Sequence, residues 1–249
     1  MCELLLVRWP RPEPFSRSLG WALDLERLGI AGFGWGVAWI EDGRVKVLKD
    51  TSRLNNDREG RRRLSGVRSE RFLVHLRRPS LLSTRSIHDT QPFLQGSDFA
   101  FSHNGSFGRH REMRHRFEGR LLGAADSEVG FREVESLLVA GRTPAGALPQ
   151  MHGEMGGEAN LGYLGRDGVL LAYAGHPHND FWTFTVDGAS VASTALHSAD
   201  HSLFDLIFRN AEQRRQLRSE VLALGHPEGS ASVQRAGTRH DAASPGQGG

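Results

Sequence analysis

Cysteine is almost absent from this 249-residue chain, and the single thiol, Cys2, has no second cysteine to pair with. That excludes an intramolecular disulfide framework and leaves a thiol that is either structural or reactive. No apolar run reaches the roughly 18 residues needed to read as a membrane-spanning helix. Leu4 to Val7 is too short and too poorly flanked for a secretory signal, so no membrane association and a cytoplasmic location are expected. Lysine is also scarce: of the 31 Lys and Arg residues only Lys46 and Lys49 are lysines, leaving 29 arginines. The formal net charge is only +2, and the sequence pI of 9.1 reflects arginines that stay charged at high pH. That balance does not imply a nucleic-acid partner. Arg61-Arg62-Arg63 and the run from Arg109 to Arg116 could meet phosphates, but only Phe107 and Phe117 accompany them, and they read as solvated surface. No internal repeat is found.

What is present suits one globular domain, with 38% hydrophobic and 24% charged residues. A domain over residues 2–225 is expected. Gly237 to Gly249 is rich in Gly, Ala, Ser and Pro without apolar bulk, and residues 226–249 are expected to form a disordered tail.

Cys2 to Trp9 reads as a buried first strand that Pro10, Pro12 and Pro14 should stop. Three Asp-Gly pairs, Asp42-Gly43, Asp167-Gly168 and Asp187-Gly188, each lie between apolar runs and predict tight hairpins, hence antiparallel sheets. Asn55 to Glu70 is polar and reads as a surface helix or a mobile segment. Arg71 to Arg77 predicts a strand with Phe72, Val74 and Leu76 on one face and Arg77 at its end. A further strand through Phe99 and Phe101 runs into His103-Asn104-Gly105, where Asn-Gly signals a turn. Asp126 precedes an amphipathic helical stretch as its candidate N-cap. Ser202 to about Leu217 reads as an amphipathic helix.

Several of these positions carry chemistry. A cysteine exposed at a mature amino terminus by loss of Met1 has a base at hand, because its own α-amine has an unperturbed pKa of about 7.7–8.0. Amide cleavage also needs donors facing the developing oxyanion, and an Asn side-chain amide followed by a Gly N–H, as in Asn104-Gly105, supplies two. A glutamine-like substrate bears an α-carboxylate that Arg77 can grip in a bidentate pair and an α-ammonium that Asp126 can accept. His176-Pro177-His178-Asn179-Asp180 has a spacing compatible with zinc, yet Pro177 and Asn179 favour a turn and only His197 and His201 could complete a shell, so no metal is expected. His103 is expected to play a structural hydrogen-bonding role beside the site.

Five segments in this order resemble the class II glutamine amidotransferases, whose catalytic domain belongs to the N-terminal nucleophile hydrolases. They are Met1-Cys2; Gly34 to Trp39; His75 to Ser80; Gln91-Pro92-Phe93 with Ser102 to Gly105; and Ala125 to Glu128. Two places depart: Arg78-Pro79-Ser80 stands where many members have Ala-Thr, and Asp89 stands where they have Asn.

The resemblance implies an α+β fold, a four-layer α/β/β/α sandwich of two antiparallel sheets. It also implies that Cys2 is the nucleophile, that Asn104 and Gly105 form the oxyanion hole, and that Arg77 and Asp126 bind the substrate's carboxylate and amino group. No cofactor is expected. The expected activity is hydrolysis of the side-chain amide of glutamine. The chain's length leaves no room for a synthase, so ammonia transfer would call for a separate synthase subunit. Hydrolysis of a γ-glutamyl conjugate is an alternative. An arginine-rich module binding RNA or another acidic partner is the reading from a different class.

Overall fold

Leu4 and Leu6 alternate with Leu5, Val7 and Trp9, and all five are essentially inaccessible. A strand apolar on both faces has to lie inside a molecule covered on both sides. The computed structural model, which describes residues 2–196 and 201–225, places it there. In chain order the elements are β1 (Glu3–Pro14), α1 (Ser16–Leu28), β2 (Trp35–Glu41), β3 (Arg44–Asp50), α2 (Arg58–Ser65), β4 (Arg68–Leu76), β5 (Phe93–Gln95), β6 (Phe99–Phe107), α3 (His110–Met113), α4 (Asp126–Val139), α5 (Pro144–Met155), β7 (Gly157–Gly165), β8 (Leu170–Gly175), β9 (Phe181–Val186), β10 (Ala189–Thr194), α6 (Ser202–Ile207), β11 (Glu212–Leu217) and β12 (Val221–Ala223).

The strands form a seven-stranded sheet in the order β11-β9-β10-β1-β4-β2-β3 and a five-stranded sheet in the order β12-β8-β7-β6-β5. Each pairing is antiparallel. Three apolar cores separate the layers. Leu5, Val7, Val37 and Val74 meet Trp21, Leu25, Leu64 and Phe204 of α1, α2 and α6. Phe101, Leu161 and Tyr173 meet Val129, Val134, Leu148 and Met151 of α4 and α5. Between the sheets lie Leu4, Leu6, Leu73, Ala100, Leu164 and Ala172. The architecture is therefore helices, sheet, sheet, helices, the four-layer sandwich.

All three Asp-Gly hairpins form. Asp42 and Gly43 have φ of 51° and 67°, and Asp187 and Gly188 have 52° and 82°, the left-handed conformations a tight hairpin needs. The polar stretch after Asn55 resolves into α2, whose N-cap Asp57 accepts from the Gly60 N–H.

Four expectations are corrected. The prolines do not stop β1, which continues to Pro14. Its pairing with β10 covers only Leu5 to Arg8, so the prolines lie beyond it, and β4 picks the strand up again at Glu13 and Pro14 after a register shift. Asn104-Gly105 is not a turn: both residues lie within β6, opposite Asn160 and Ala159 of β7. The helix begun at Ser202 ends at Ile207, and Glu212 to Leu217 forms edge strand β11 against β9. Asp126 is the first residue of α4, not its cap; Ala125 holds the cap position without a side-chain bond. Helices α1 and α5 have no counterpart in the sequence reading. Residues 226–249, expected as a tail, fall outside the described residues, as do Met1 and His197.

Candidate active site

Antiparallel pairing of β1 with β4 sets Glu3 opposite Leu76, so the start of one strand lies beside the end of the other. Cys2 and Arg77, each one residue beyond that pair, become neighbours although 75 positions separate them. The side chains of β6 alternate likewise. Phe101 and Phe107 face the helices, and Ala100 faces the other sheet; Asn104 shares the parity of Ala100 and points between the sheets. Asp126 is carried to the same end of the molecule by α4, which packs on β6.

Cys2, Arg77, Gly105 and Asp126 line one cavity of about 130 Å3, together with Thr84, His103 and Ser127 among others. At roughly 10–15 Å3 per enclosed water, that is room for about ten non-hydrogen atoms, the size of an amino acid. Asn104 is not in the cavity wall. Its Nδ2 donates to the Cys2 carbonyl, and its Oδ1 accepts from Asn179 Nδ2 at 3.2 Å.

The Cys2 sulfur accepts the Arg78 N–H at 3.3 Å and lies 3.4 Å from the Arg78 carbonyl. Crowding by protein pushes its thiol up from the ordinary value, opposed by the Arg78 N–H and the nearby Arg77 charge. A thiol so placed needs a base. Arg77 is buried, with Nη2 donating to Thr84 Oγ1 at 3.0 Å, while Nη1 has no acceptor among the described residues. Burial holds its guanidinium below the usual arginine range, and the Asp89 and Asp126 carboxylates work against that. A buried cationic donor left unpaired is costly, and an anion at this point would satisfy it.

Asp126 Oδ2 accepts the Phe107 N–H at 2.8 Å, and Oδ1 accepts from Ser127 Oγ at 3.3 Å. It sits in the first turn of α4, at the positive end of the helix dipole. Gly105 has φ of +148°, and a Cβ there would come within 1.9 Å of the Glu158 carbonyl oxygen, so only glycine fits. His103 is buried and stacked on Phe107, with Nδ1 2.9 Å from Ser127 Oγ and Nε2 3.4 Å from the Glu158 carbonyl. Burial pulls its pKa down to about 4, so the ring is neutral near pH 7.

Supporting residues that sequence reasoning missed are Gln91, Asp89 and Asn179. Asp89 Oδ1 accepts the N–H groups of Ala124 and Ala125, both at 2.7 Å, which fixes the approach to Asp126. Gly36 makes room for Gln91: a Cβ at Gly36 would meet the Gln91 carbonyl oxygen at 2.2 Å. His176 and His178 both turn toward Glu158, at 3.4 and 3.6 Å. Among the described residues no group of three His, Cys, Asp or Glu side chains is arranged to hold a metal ion, and no helix is long and apolar enough to cross a membrane.

Two antiparallel sheets between helical layers, with this cavity at the head of a central strand, define the fold of the N-terminal nucleophile hydrolases. Residues 1–174 match the family described as glutamine amidotransferases class-II, and the chain belongs to that family. It is 31% identical over 140 residues to an uncharacterized protein of Methanocaldococcus jannaschii, a match covering 53% of this chain and 37% of that protein. Its fold is similar to that of the glutamine phosphoribosylpyrophosphate amidotransferase of B. subtilis complexed with ADP and GMP, at a TM-score of 0.67 and 16% identity. That likeness covers 89% of this chain and 47% of the other, so this chain spans about half the enzyme's length. A glutamine aminotransferase class-II domain protein from Silicibacter pomeroyi is similar at a TM-score of 0.58 and 17% identity, over 90% of this chain and 95% of that one.

Proposed function

We propose that the protein is a cysteine-dependent amidohydrolase that cleaves the side-chain amide of glutamine, releasing ammonia and glutamate. The observation that carries this reading is the meeting of Cys2, Arg77, Gly105 and Asp126 around one amino-acid-sized cavity, with an Arg77 nitrogen that has no acceptor among the described residues beside it. In this reading loss of Met1 leaves the α-amine on Cys2. The amine takes the thiol proton as Sγ bonds to the amide carbon, and passes it to the leaving nitrogen as the carbon–nitrogen bond breaks. Water then attacks the γ-glutamyl thioester, releasing glutamate and restoring the thiol. Asn104 Nδ2 and the Gly105 N–H stabilise the oxyanion in both halves. Arg77 binds the α-carboxylate and Asp126 the α-ammonium.

An acceptor for the ammonia, in a separate synthase subunit, belongs to the proposal. A γ-glutamyl conjugate would use the same residues with a larger leaving group. The arginine-rich alternative finds less support, because many guanidiniums of both clusters are engaged internally. Arg61 donates to the Leu54 and Asn55 carbonyls, Arg62 pairs with Glu59, Arg109 with Glu112 and Arg116 with Glu133.

The test is ammonia and glutamate release from glutamine, and amine release from a γ-glutamyl anilide, with Cys2→Ala as control. Turnover that disappears in the variant is expected. Equal turnover by the two proteins would remove Cys2 from the mechanism.

A further inference from the structure

Three asparagines, Asn104, Asn160 and Asn179, are packed together with at most 1% exposure. They come from β6, from β7 directly opposite, and from the loop that leads into β9. We propose that Asn179 is a positioning residue that locks the Asn104 amide with its NH2 group toward Cys2. The proposal rests on the amidohydrolase reading above, in which that NH2 group meets the oxyanion.

The two ends of an asparagine amide are nearly the same size, so its orientation is decided by what each end faces. Two partners agree on it here, one of them a fixed acceptor. The Cys2 carbonyl can only accept, and so it faces Nδ2. Asn179 Nδ2 can only donate, and so it faces Oδ1, at 3.2 Å. A reversed Asn104 would set oxygen against oxygen and N–H against N–H between buried residues, leaving their polar groups unpaired. Only one of the two Asn104 Nδ2 hydrogens has a protein acceptor among the described residues, which leaves a donor for a ligand.

Asn179 is itself held in place. Its backbone carbonyl accepts from Asn160 Nδ2 at 2.8 Å, and Asn160 Oδ1 accepts the His176 N–H at 3.4 Å. Asn160 lies opposite Asn104 in the β6–β7 ladder, so the loop is referenced to the strand that carries the amide it orients. Asn179 is not a lining residue of the cavity. Its side chain reaches the site through the bond to Asn104.

The decisive variant is Asn179→Asp, close in shape and able to keep the backbone bond to Asn160. An ionised carboxylate accepts only, and it would draw Asn104 Nδ2 toward itself and turn Oδ1 toward the reacting centre. With glutamine as substrate, kcat should fall by about 10²-fold or more, the effect of losing one oxyanion donor, while KM stays within about threefold. Asn179→Ala, which frees the amide without reversing it, should lose less, and it serves in the same assays if the aspartate variant does not fold. In an Asn104→Ala background either change should cost nothing further. Alkylation of Cys2 by iodoacetamide, which forms no oxyanion, should keep its wild-type rate.

Wild-type kcat in both variants would overturn the proposal, as would an equal loss in the Asn104→Ala background. The amidohydrolase reading fails separately, through turnover that does not depend on Cys2 or is missing altogether. In that event the Asn104 side-chain amide resonances of 15N-asparagine-labelled protein still decide. Asn179→Asp should shift them, and unchanged resonances would overturn the orientation claim.

Discussion

The side chain of Gln91 brackets the backbone of His103. Its Oε1 accepts the His103 N–H at 2.6 Å, and its Nε2 donates to the His103 carbonyl at 3.3 Å. Both residues are buried, and His103 immediately precedes Asn104 and Gly105. The clamp therefore holds β6 where those two residues meet Cys2.

Removing the clamp leaves a buried N–H and a buried carbonyl without partners, each costing about 1–3 kcal/mol. Gln91→Ala is expected to lower the stability of the fold by about 2–5 kcal/mol and to reduce kcat at temperatures where the variant is still folded. Chemical denaturation and turnover measured on one preparation check both.

Arg77 separates charge from shape. Arg77→Lys keeps a cation at the cavity wall but loses the planar fork that grips a carboxylate bidentately. With a charge-assisted hydrogen bond contributing about 1.5–3 kcal/mol, KM for glutamine should rise by about 10- to 100-fold with kcat less affected. A variant with unchanged KM would remove Arg77 from substrate binding.

Glu3 gives the fold a pH dependence. Its carboxyl is buried and accepts from Thr194 Oγ1. Burial pushes its pKa up from 4.5 to about 7. The folded state thus holds a proton that the unfolded chain has lost between these values, and stability declines as pH rises from about 4.5 to 7. The full cost above pH 7 is about 3 kcal/mol. Glu3→Gln removes the titration and keeps an acceptor for Thr194. The variant should be more stable than the wild type at pH 8 and nearly equal to it at pH 4.5, as read by thermal unfolding at the two pH values.

How much of this was legible in the sequence depended on the range of the interactions. The Asp-Gly hairpins were legible because two adjacent residues supply the required backbone conformation. The gathering of Cys2, Arg77, Gly105 and Asp126 at one cavity was legible because they keep their order along the chain, and the antiparallel ends of β1 and β4 need only that Cys2 start one strand and Arg77 follow the other. Asn104-Gly105 misled for the converse reason. Asn-Gly favours a turn locally, but pairing with Asn160 and Ala159 outweighs that preference and keeps both residues in the strand. The stretch from Glu212 to Leu217 misled in the same way, since β9 offers it an edge that no local pattern reveals. Gln91, Asp89 and Asn179 were illegible because their partners lie 12, 35 and 75 residues away. A polar side chain carries no mark of the distant backbone or amide it will hold.

In the proposed mechanism Cys2, freed of Met1, is the nucleophile of a glutamine-directed site. Peptide mapping after treatment with a γ-diazoketone analogue of glutamine tests it most directly. A single adduct on Cys2 is expected, in a peptide that begins at Cys2, with glutamine slowing its formation and turnover falling in step. An adduct at another residue, or active protein that is labelled with Met1 still attached, would contradict it.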